Sequence, residues 1–329
     1  MFSIHSARAP GKLPTCRARK GLKMTTPFET PSARGASAAS LIETIVTLFK
    51  LRIVALLLFA GTGGAFLAAG GWPGLGPLVA MTLTGGLAAA GASALNQYLE
   101  QSEDASMRRT RRRPLVSGAI TRAGWVPVVA VSLIVIPSLI ALPLNPALAF
   151  WSFAGAVVYV GVYTVWLKPR TVLNIVIGGL AGTCAVLSGG AAANSSVGAQ
   201  GWAHPSVVVL GLLVFLWTPA HFWSLAMMCR DDYARVNVPM LPARASPRHS
   251  AVWVAVHGAA TAFAALALGS DEALGGLYFI PTAIATIDLL RRCGQLIAEP
   301  TTARARSLFI ASNTYLAIVL LMICVSALI

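Results

Sequence analysis

Nine apolar stretches, each 17 to 23 residues long and nearly free of charge, occupy most of the chain after residue 50. They lie near Leu51–Ala69, Leu75–Gln97, Trp125–Leu142, Ala147–Leu167, Asn174–Ala193, Ser206–Met228, Ala251–Leu268, Leu274–Leu290 and Leu308–Ile329. Wound as α-helices, such stretches reach across the ~30 Å hydrocarbon layer of a bilayer. Inside that layer only helices or closed barrels satisfy every backbone polar group. Apolar residues make up 56% of the 329 and charged residues 11%, against about 25% charged in soluble domains. The expected fold is therefore an all-α integral membrane bundle. Stretches 70–77 (GGWPGLGP) and 142–146 (LPLNP) supply tight turns between neighbouring helices.

The placement of charge sharpens this picture. All 25 Lys and Arg residues fall either within residues 1–52 or in the connections after helices 2, 4, 6 and 8. The odd-numbered connections carry no cation, only Asp271 and Glu272. By the positive-inside rule, the amino terminus and the even connections are expected to be cytoplasmic and the carboxyl terminus outside. The net charge of +14 is thus spread along one membrane face, which argues against a nucleic-acid partner. Residues 1–44 read as a disordered basic tail and residues 45–329 as the membrane domain. A mitochondrial transit peptide, or initiation at Met24, are the other readings of that tail. The five cysteines are scattered, odd in number and without a CxxC pair, and read as small apolar filler.

Acidic residues cluster at two places on the basic face. Glu100, Glu103 and Asp104 follow helix 2, and Asp231 and Asp232 follow helix 6. The clusters are four helices apart, and each leads through arginine to a Pro-Leu or Leu-Pro pair. This suggests two four-helix halves, helices 1–4 and 5–8, with a ninth helix appended, facing one another across a central cavity. If helix 2 continues through its cluster, Asn96, Glu100 and Asp104 fall at i, i+4 and i+8 on one face. Stacked oxygen donors ringed by cations suit a magnesium-bound diphosphate, since Mg²⁺ prefers one or two carboxylates plus substrate phosphate oxygens. An apolar bundle above them suits the hydrocarbon of a polyprenyl diphosphate. The competing view makes 102–113 a solvated loop and its arginines anchors for lipid headgroups.

Three stretches carry a resemblance to a known family: NQYLEQSEDASMRRTRRRPL (96–115), LKPRTVLNIVIGGLAG (167–182) and FLWTPAHFWSLAMMCRDDYARVNVPMLP (215–242). From about residue 45 to 325 the chain resembles the protoheme IX farnesyltransferases (heme O synthases), a branch of the UbiA superfamily of intramembrane prenyltransferases. The resemblance implies nine helices around a central cavity. It implies Mg²⁺-dependent loss of diphosphate from farnesyl diphosphate, attack by the vinyl group of heme B, and addition of water to give heme O. Farnesyl diphosphate, heme B and membrane lipid are the implied partners, with heme A synthase or terminal-oxidase assembly proteins downstream. The setting would be a bacterial inner membrane or, alternatively, a mitochondrial one.

Carried over residue by residue, Asn96, Glu100 and Asp104 match the superfamily's first Asn-x-x-x-Asp-x-x-x-Asp motif, with Glu for the first Asp. Asp232 with Tyr233 matches the second motif, and Asp231 is its neighbour. Adjacent helical residues point about 100° apart, so one of the two aspartates is expected to face the site. No acid lies four residues after either. Asn96, Glu100, Asp104 and Asp232 are the expected catalytic residues; with Asp231 they are the expected metal ligands. Arg109, Arg112, Arg113, Lys168, Arg170 and Arg230 are diphosphate-binding candidates, and Asn174 and Tyr233 are expected at the cavity.

His221 stands apart as a polar ring deep in helix 6. It either lines the cavity against the porphyrin, with iron ligation one option, or donates an interhelical hydrogen bond beside Trp217 and Trp223. The chain departs from the family pattern at 183–193 (TCAVLSGGAAA), where a Pro-Pro stretch is usual, and at Asn237, where Gly is common. Asn tolerates left-handed backbone better than other non-glycine residues, so that turn is expected to survive. Three rivals remain. A sister prenyltransferase acting on an aromatic or quinone precursor would share the metal site. A secondary transporter would place its ionisable groups nearer the midplane. A membrane assembly factor would need no active site.

Overall fold

The computed structural model describes residues 38–193 and 201–329. The basic segment up to residue 37, and with it most of the predicted tail, lies outside the described residues. Residues 38–44, assigned by composition to that tail, begin a short helix, α1 (Ala38–Leu48). Its last residue Leu48 is buried against Ala94, Leu115, Val126 and Ala130, so the helix is anchored to the bundle by its apolar end.

The described chain is helical, without strands. After α1 come α2 (Leu51–Ala69), α3 (Leu75–Leu99), the short α4 (Gln101–Ser106) and α5 (Pro114–Ser117), then α6 (Trp125–Ala141), α7 (Pro146–Leu167) and α8 (Asn174–Ala192). A second run follows: α9 (Pro205–Met228), the short α10 (Arg230–Arg235) and α11 (Leu241–Arg244), α12 (Pro247–Leu268), α13 (Gly275–Ala298) and α14 (Thr302–Ser326). Among the described residues seven of these have the length and apolarity to cross a membrane. The other two predicted runs are helical as well. One, α6, has 17 residues, about 26 Å of helix; the other, α13, carries Asp288, Arg291 and Arg292 in its second half. Length and composition therefore single out seven spans where hydropathy predicted nine.

The two halves repeat one another in packing. In each, the second long helix lies on the third and the third on the fourth: α3 on α6 on α7, and α9 on α12 on α13. The halves meet through their first helices, α2 and α8. That crossing is close because both sides are glycine: a Cβ on Gly189 would sit 1.7 Å from the Gly61 carbonyl oxygen, and one on Gly64 2.4 Å from that of Val186. Small residues let backbones approach in lipid, where apolar burial alone drives little association. α14 packs on α9 and α13.

The repeat extends to the helix ends. α3 breaks at Glu100 (φ −102°, ψ 18°) and α9 breaks at Cys229 (φ −110°, ψ 25°). Each break leads into a six-residue helix and then a four-residue helix with proline in its first turn. Proline suits that position because its missing N–H would be unpaired there anyway. The turn between α10 and α11 carries Asn237 at φ 54°, the left-handed conformation expected for it.

Candidate active site

The predicted stacking of Asn96, Glu100 and Asp104 survives, but the continuous helix does not. The chain bends at Glu100 while two i→i−4 bonds carry across the bend, Glu100 N to Asn96 O (3.1 Å) and Asp104 N to Glu100 O (2.9 Å). All three side chains are buried, 2%, 7% and 3% exposed. Beyond α4 the backbone turns extended at Met107. Thr110 donates to the Asp104 carbonyl oxygen (3.0 Å) and closes a turn that returns Arg113 to the Asp104 carboxylate, where they form an ion pair. Lys168, at the end of α7, pairs with Glu100. Buried ion pairs contribute little net stability against an apolar alternative. Two at one rim therefore mark a site better than they mark a strut.

Asn96 is held from two sides. The Lys50 ammonium donates to its Oδ1 (2.6 Å) and to the Tyr159 hydroxyl (3.0 Å), while the Asn96 amide donates to Thr164 Oγ1 (3.0 Å). Residues 158–167 of α7 are wound as a π-helix, a local widening common at functional sites. It brings Tyr159 and Tyr163 into a parallel stack, ring centroids 5.8 Å apart, with Lys50 5.6 Å above the Tyr159 ring and Lys168 6.0 Å above that of Tyr163.

Sequence alone does not single out Lys50, because it falls inside the basic amino-terminal segment. Its local signal is a lone lysine between two apolar runs (TLFKLRIV). Position decides its role: it joins α1 to α2 in a left-handed conformation (φ 47°), which costs a non-glycine residue roughly 1–2 kcal/mol. Gln97 of α3 locks that joint by donating to the carbonyl oxygens of Thr47 and Leu48 (2.7 and 2.8 Å). Burial, with Arg113 and Lys168 nearby, lowers the Lys50 pKa to about 7, against the opposing pull of Glu100 and Asp104.

The second acidic end meets the first. Asp232 is 7% exposed and accepts from Arg235 Nη1 (3.1 Å); the same nitrogen donates to the Ser106 carbonyl oxygen at the end of α4 (3.2 Å). Tyr233 is buried beside Arg109, and burial, opposed by that guanidinium, raises its pKa. Arg109 and Arg235 thus tie the two halves together at this rim. Asn174, fully buried at the start of α8, donates to the Thr171 carbonyl oxygen (2.6 Å) and to that of Pro239 (3.4 Å), and so holds the α10–α11 turn against the 168–173 connection.

Other candidates are placed elsewhere. Asp231 and Arg112 are exposed. Arg170 donates to the carbonyl oxygens of Val165 and Trp166 (3.0 and 2.7 Å), capping α7. Arg230 is exposed and reaches the Ala245 carbonyl oxygen (3.4 Å). None of the four joins the ion-pair cluster. His221 lies in the apolar interior, its ring stacked between Trp217 (4.3 Å) and Phe309 of α14 (4.5 Å), with Nδ1 3.0 Å from Ser312 Oγ. It sits on α9 eight residues before the break at Cys229, about 12 Å along the axis.

The chain matches the UbiA prenyltransferase family over residues 56–323. It belongs to that family. Protoheme IX farnesyltransferase from Metallosphaera sedula is 39% identical over 282 residues, 86% of this chain and 95% of the relative. The protein of that name from Saccharolobus islandicus is 38% identical over 288 residues, 88% and 98%. The fold also matches solved structures. A digeranylgeranylglyceryl phosphate synthase superposes with TM-score 0.71 at 17% identity, covering 87% of this chain and 98% of that one. A UbiA homolog from Archaeoglobus fulgidus bound to DMAPP and Mg²⁺ gives 0.58 at 16% identity, covering 86% and 99%.

For this UbiA family member the donor set can be tested against a magnesium ion. Among the described residues no three acidic, His or Cys side chains stand close enough to form a ready-made cage. Asn96, Glu100, Asp104 and Asp232 are nonetheless hard oxygen donors, buried at one rim. Mg²⁺ asks for one or two carboxylates and takes its remaining oxygens from phosphate and water. The residues fit an ion that arrives with a diphosphate.

Proposed function

We propose that this protein transfers the farnesyl group of farnesyl diphosphate to the vinyl group of heme B, giving heme O. The observation that carries the reading is the meeting of the two acidic helix ends at Arg235, directly below an apolar helix bundle. The near-full-length similarity to proteins named protoheme IX farnesyltransferase supports the choice of substrates within the family.

Arg113 and Lys168 are pre-positioned on carboxylates; when the diphosphate enters, they turn to its oxygens, and Arg109 and Lys50 add to the same cationic ring. Mg²⁺, held by Asn96, Glu100, Asp104 and Asp232, would supply a further sink for the charge developing on the departing diphosphate. As the farnesyl C1–O bond breaks, the electron pair leaves with the diphosphate and C1 becomes electron-poor. The rings of Tyr159 and Tyr163, beside Lys50 and Lys168, offer electron-rich faces to that positive charge once the two lysines turn to the diphosphate. The vinyl π electrons form the new C–C bond. Water adds to the carbon left electron-poor on the heme side, and its proton passes to diphosphate. Trp217, His221 and Phe309 form a three-ring stack above the rim, with both faces of His221 covered, that braces α9 against α14.

The basic face is read as cytoplasmic on the strength of the charge distribution, with a bacterial inner membrane as the proposed setting. The product then passes to heme A synthase or terminal-oxidase assembly proteins. Purified protein with heme B, farnesyl diphosphate and Mg²⁺ should yield a product with the mass of heme O. Prenylation of an aromatic acid in place of heme B would overturn the substrate assignment.

A further inference from the structure

A second feature lies away from the acidic helix ends. Between α13 and α14 runs an open groove of about 740 Å³, within the ~300–1,000 Å³ of sites that hold small molecules. Ile284, Ile310, Ile318 and Leu321 line its length, and Ile284, Ile310 and Leu321 are half or more exposed on the outside of the bundle. On α14 the lining runs from Ser307 to Met322, about 22 Å of helix, more than the ~15 Å depth of one leaflet's hydrocarbon.

One end of the groove is polar, and it is the end on the basic face. Asp288 accepts from Arg291 Nη2 and Arg292 Nε, both at 2.7 Å, and Arg292 also donates to Ser307 across the groove. Two guanidinium groups on one carboxylate leave a net positive charge at the mouth, and Arg306 is exposed one residue before Ser307. A soluble anion has no use for the apolar channel, and a neutral hydrocarbon has no use for the guanidinium groups. An amphiphile with a fatty tail and an anionic head uses both, and basic pockets between spans on this side of a membrane take such headgroups.

We propose that the α13–α14 groove is a binding site for one anionic phospholipid of the leaflet on the basic face. Its acyl chain lies along Ile284 and Ile318, and its phosphate meets Arg291 and Arg292. The site is independent of prenyl transfer.

Native mass spectrometry of the full chain, loaded in turn with phosphatidylglycerol and phosphatidylcholine of identical chains, tests this. One phosphatidylglycerol should be retained per chain in preference to phosphatidylcholine by about tenfold, the scale that one to two basic contacts provide. The double variant R291Q/R292Q should erase the preference. Because those arginines also hold Asp288, a second variant, Ala311→Trp, fills the groove and leaves the charges in place; it should lower retention of both lipids. Equal retention of the two lipids by the unmodified protein, or unchanged phosphatidylglycerol retention in Ala311→Trp, overturns the proposal. So does a dimer that forms in place of the lipid adduct and is lost in Ala311→Trp, which would assign the groove to a second copy of the chain.

Discussion

The span ending at Glu100 and the span ending at Cys229 break in nearly the same backbone conformation and are followed by the same pair of short helices. Their chemistry differs. The first break gathers three buried oxygen donors and draws its cations from afar: Lys168 from the end of α7, Lys50 from the α1–α2 joint, and Arg113 through a tight turn. The second presents one buried carboxylate, and its partner Arg235 comes from its own short helix with a side chain 45% exposed. An exposed pair of that kind is worth ~0–1 kcal/mol, whereas breaking a buried one costs roughly 3–5 kcal/mol. A common scaffold thus carries two unlike ends, one with three buried oxygen donors and cations brought from other elements, the other with one buried carboxylate and an arginine of its own helix.

Substitutions can break that asymmetry. The largest effects are expected from Glu100→Gln and Asp104→Asn, each lowering turnover by about 10³, against about 10² for Asp232→Asn, the range seen when one electrostatic contact to a transition state is removed. Steady-state rates on membranes with matched protein levels measure this, and equal losses would mean the halves contribute alike. Thermal unfolding should separate them too. The two first-half variants strand a buried cation and lower the midpoint, while Asp232→Asn leaves only a solvated arginine and should not.

Lys50→Met should come next, at about tenfold to a hundredfold in kcat/KM. Because burial lowers the Lys50 pKa to about 7, at pH 8–9 its side chain is mostly the neutral amine before substrate binds. A diphosphate beside it favours the charged form and raises that pKa, so binding at pH 8–9 should take up close to one proton. Calorimetry in buffers of different ionisation enthalpy reads this uptake; it should vanish in Lys50→Met, and its persistence there would assign the proton to another group.

Arg235→Gln removes the bridge to Ser106 and should cost about tenfold or less, because its pair with Asp232 is half solvated. The smallest effects, within about threefold, are expected for Arg112→Gln and Arg230→Gln, which lie outside the cluster. A large loss at either would show that the rim rearranges when substrate enters.

Much of the site was readable because its signals are local. Carboxylates at the ends of two apolar runs, arginines one turn on, and a lysine in the short 168–173 connection are patterns of nearest neighbours. Glu100, Asp104, Arg113, Lys168 and Asp232 could all be named from them. Lys50 could not, because inside a segment with nine cations nothing local distinguishes it from a lipid-facing charge. Arg170 stands in the same loop as Lys168, and there its guanidinium is used by the carbonyl oxygens of Val165 and Trp166 that end α7. Asp231 and Asp232 were separable only as alternatives, and the break at Cys229 decided that Asp232 is the buried one.

Hydropathy and charge order alone determined that this chain is a helical membrane bundle, which of its faces is basic, and that two acidic helix ends share that face. These follow from the cost of exposing backbone or charge to hydrocarbon, a cost each segment bears by itself. The tertiary structure decided which side chains meet: how α3 bends at Glu100, how the π-helical turns of α7 stack two tyrosines beneath two lysines, and how Gln97 pins the joint that carries Lys50. The bonds of Lys50 to Asn96, Asn96 to Thr164, Lys168 to Glu100 and Arg235 to Ser106 join residues 46 to 129 positions apart. A side chain's direction at such a distance depends on a few backbone angles at each break, which no local pattern records.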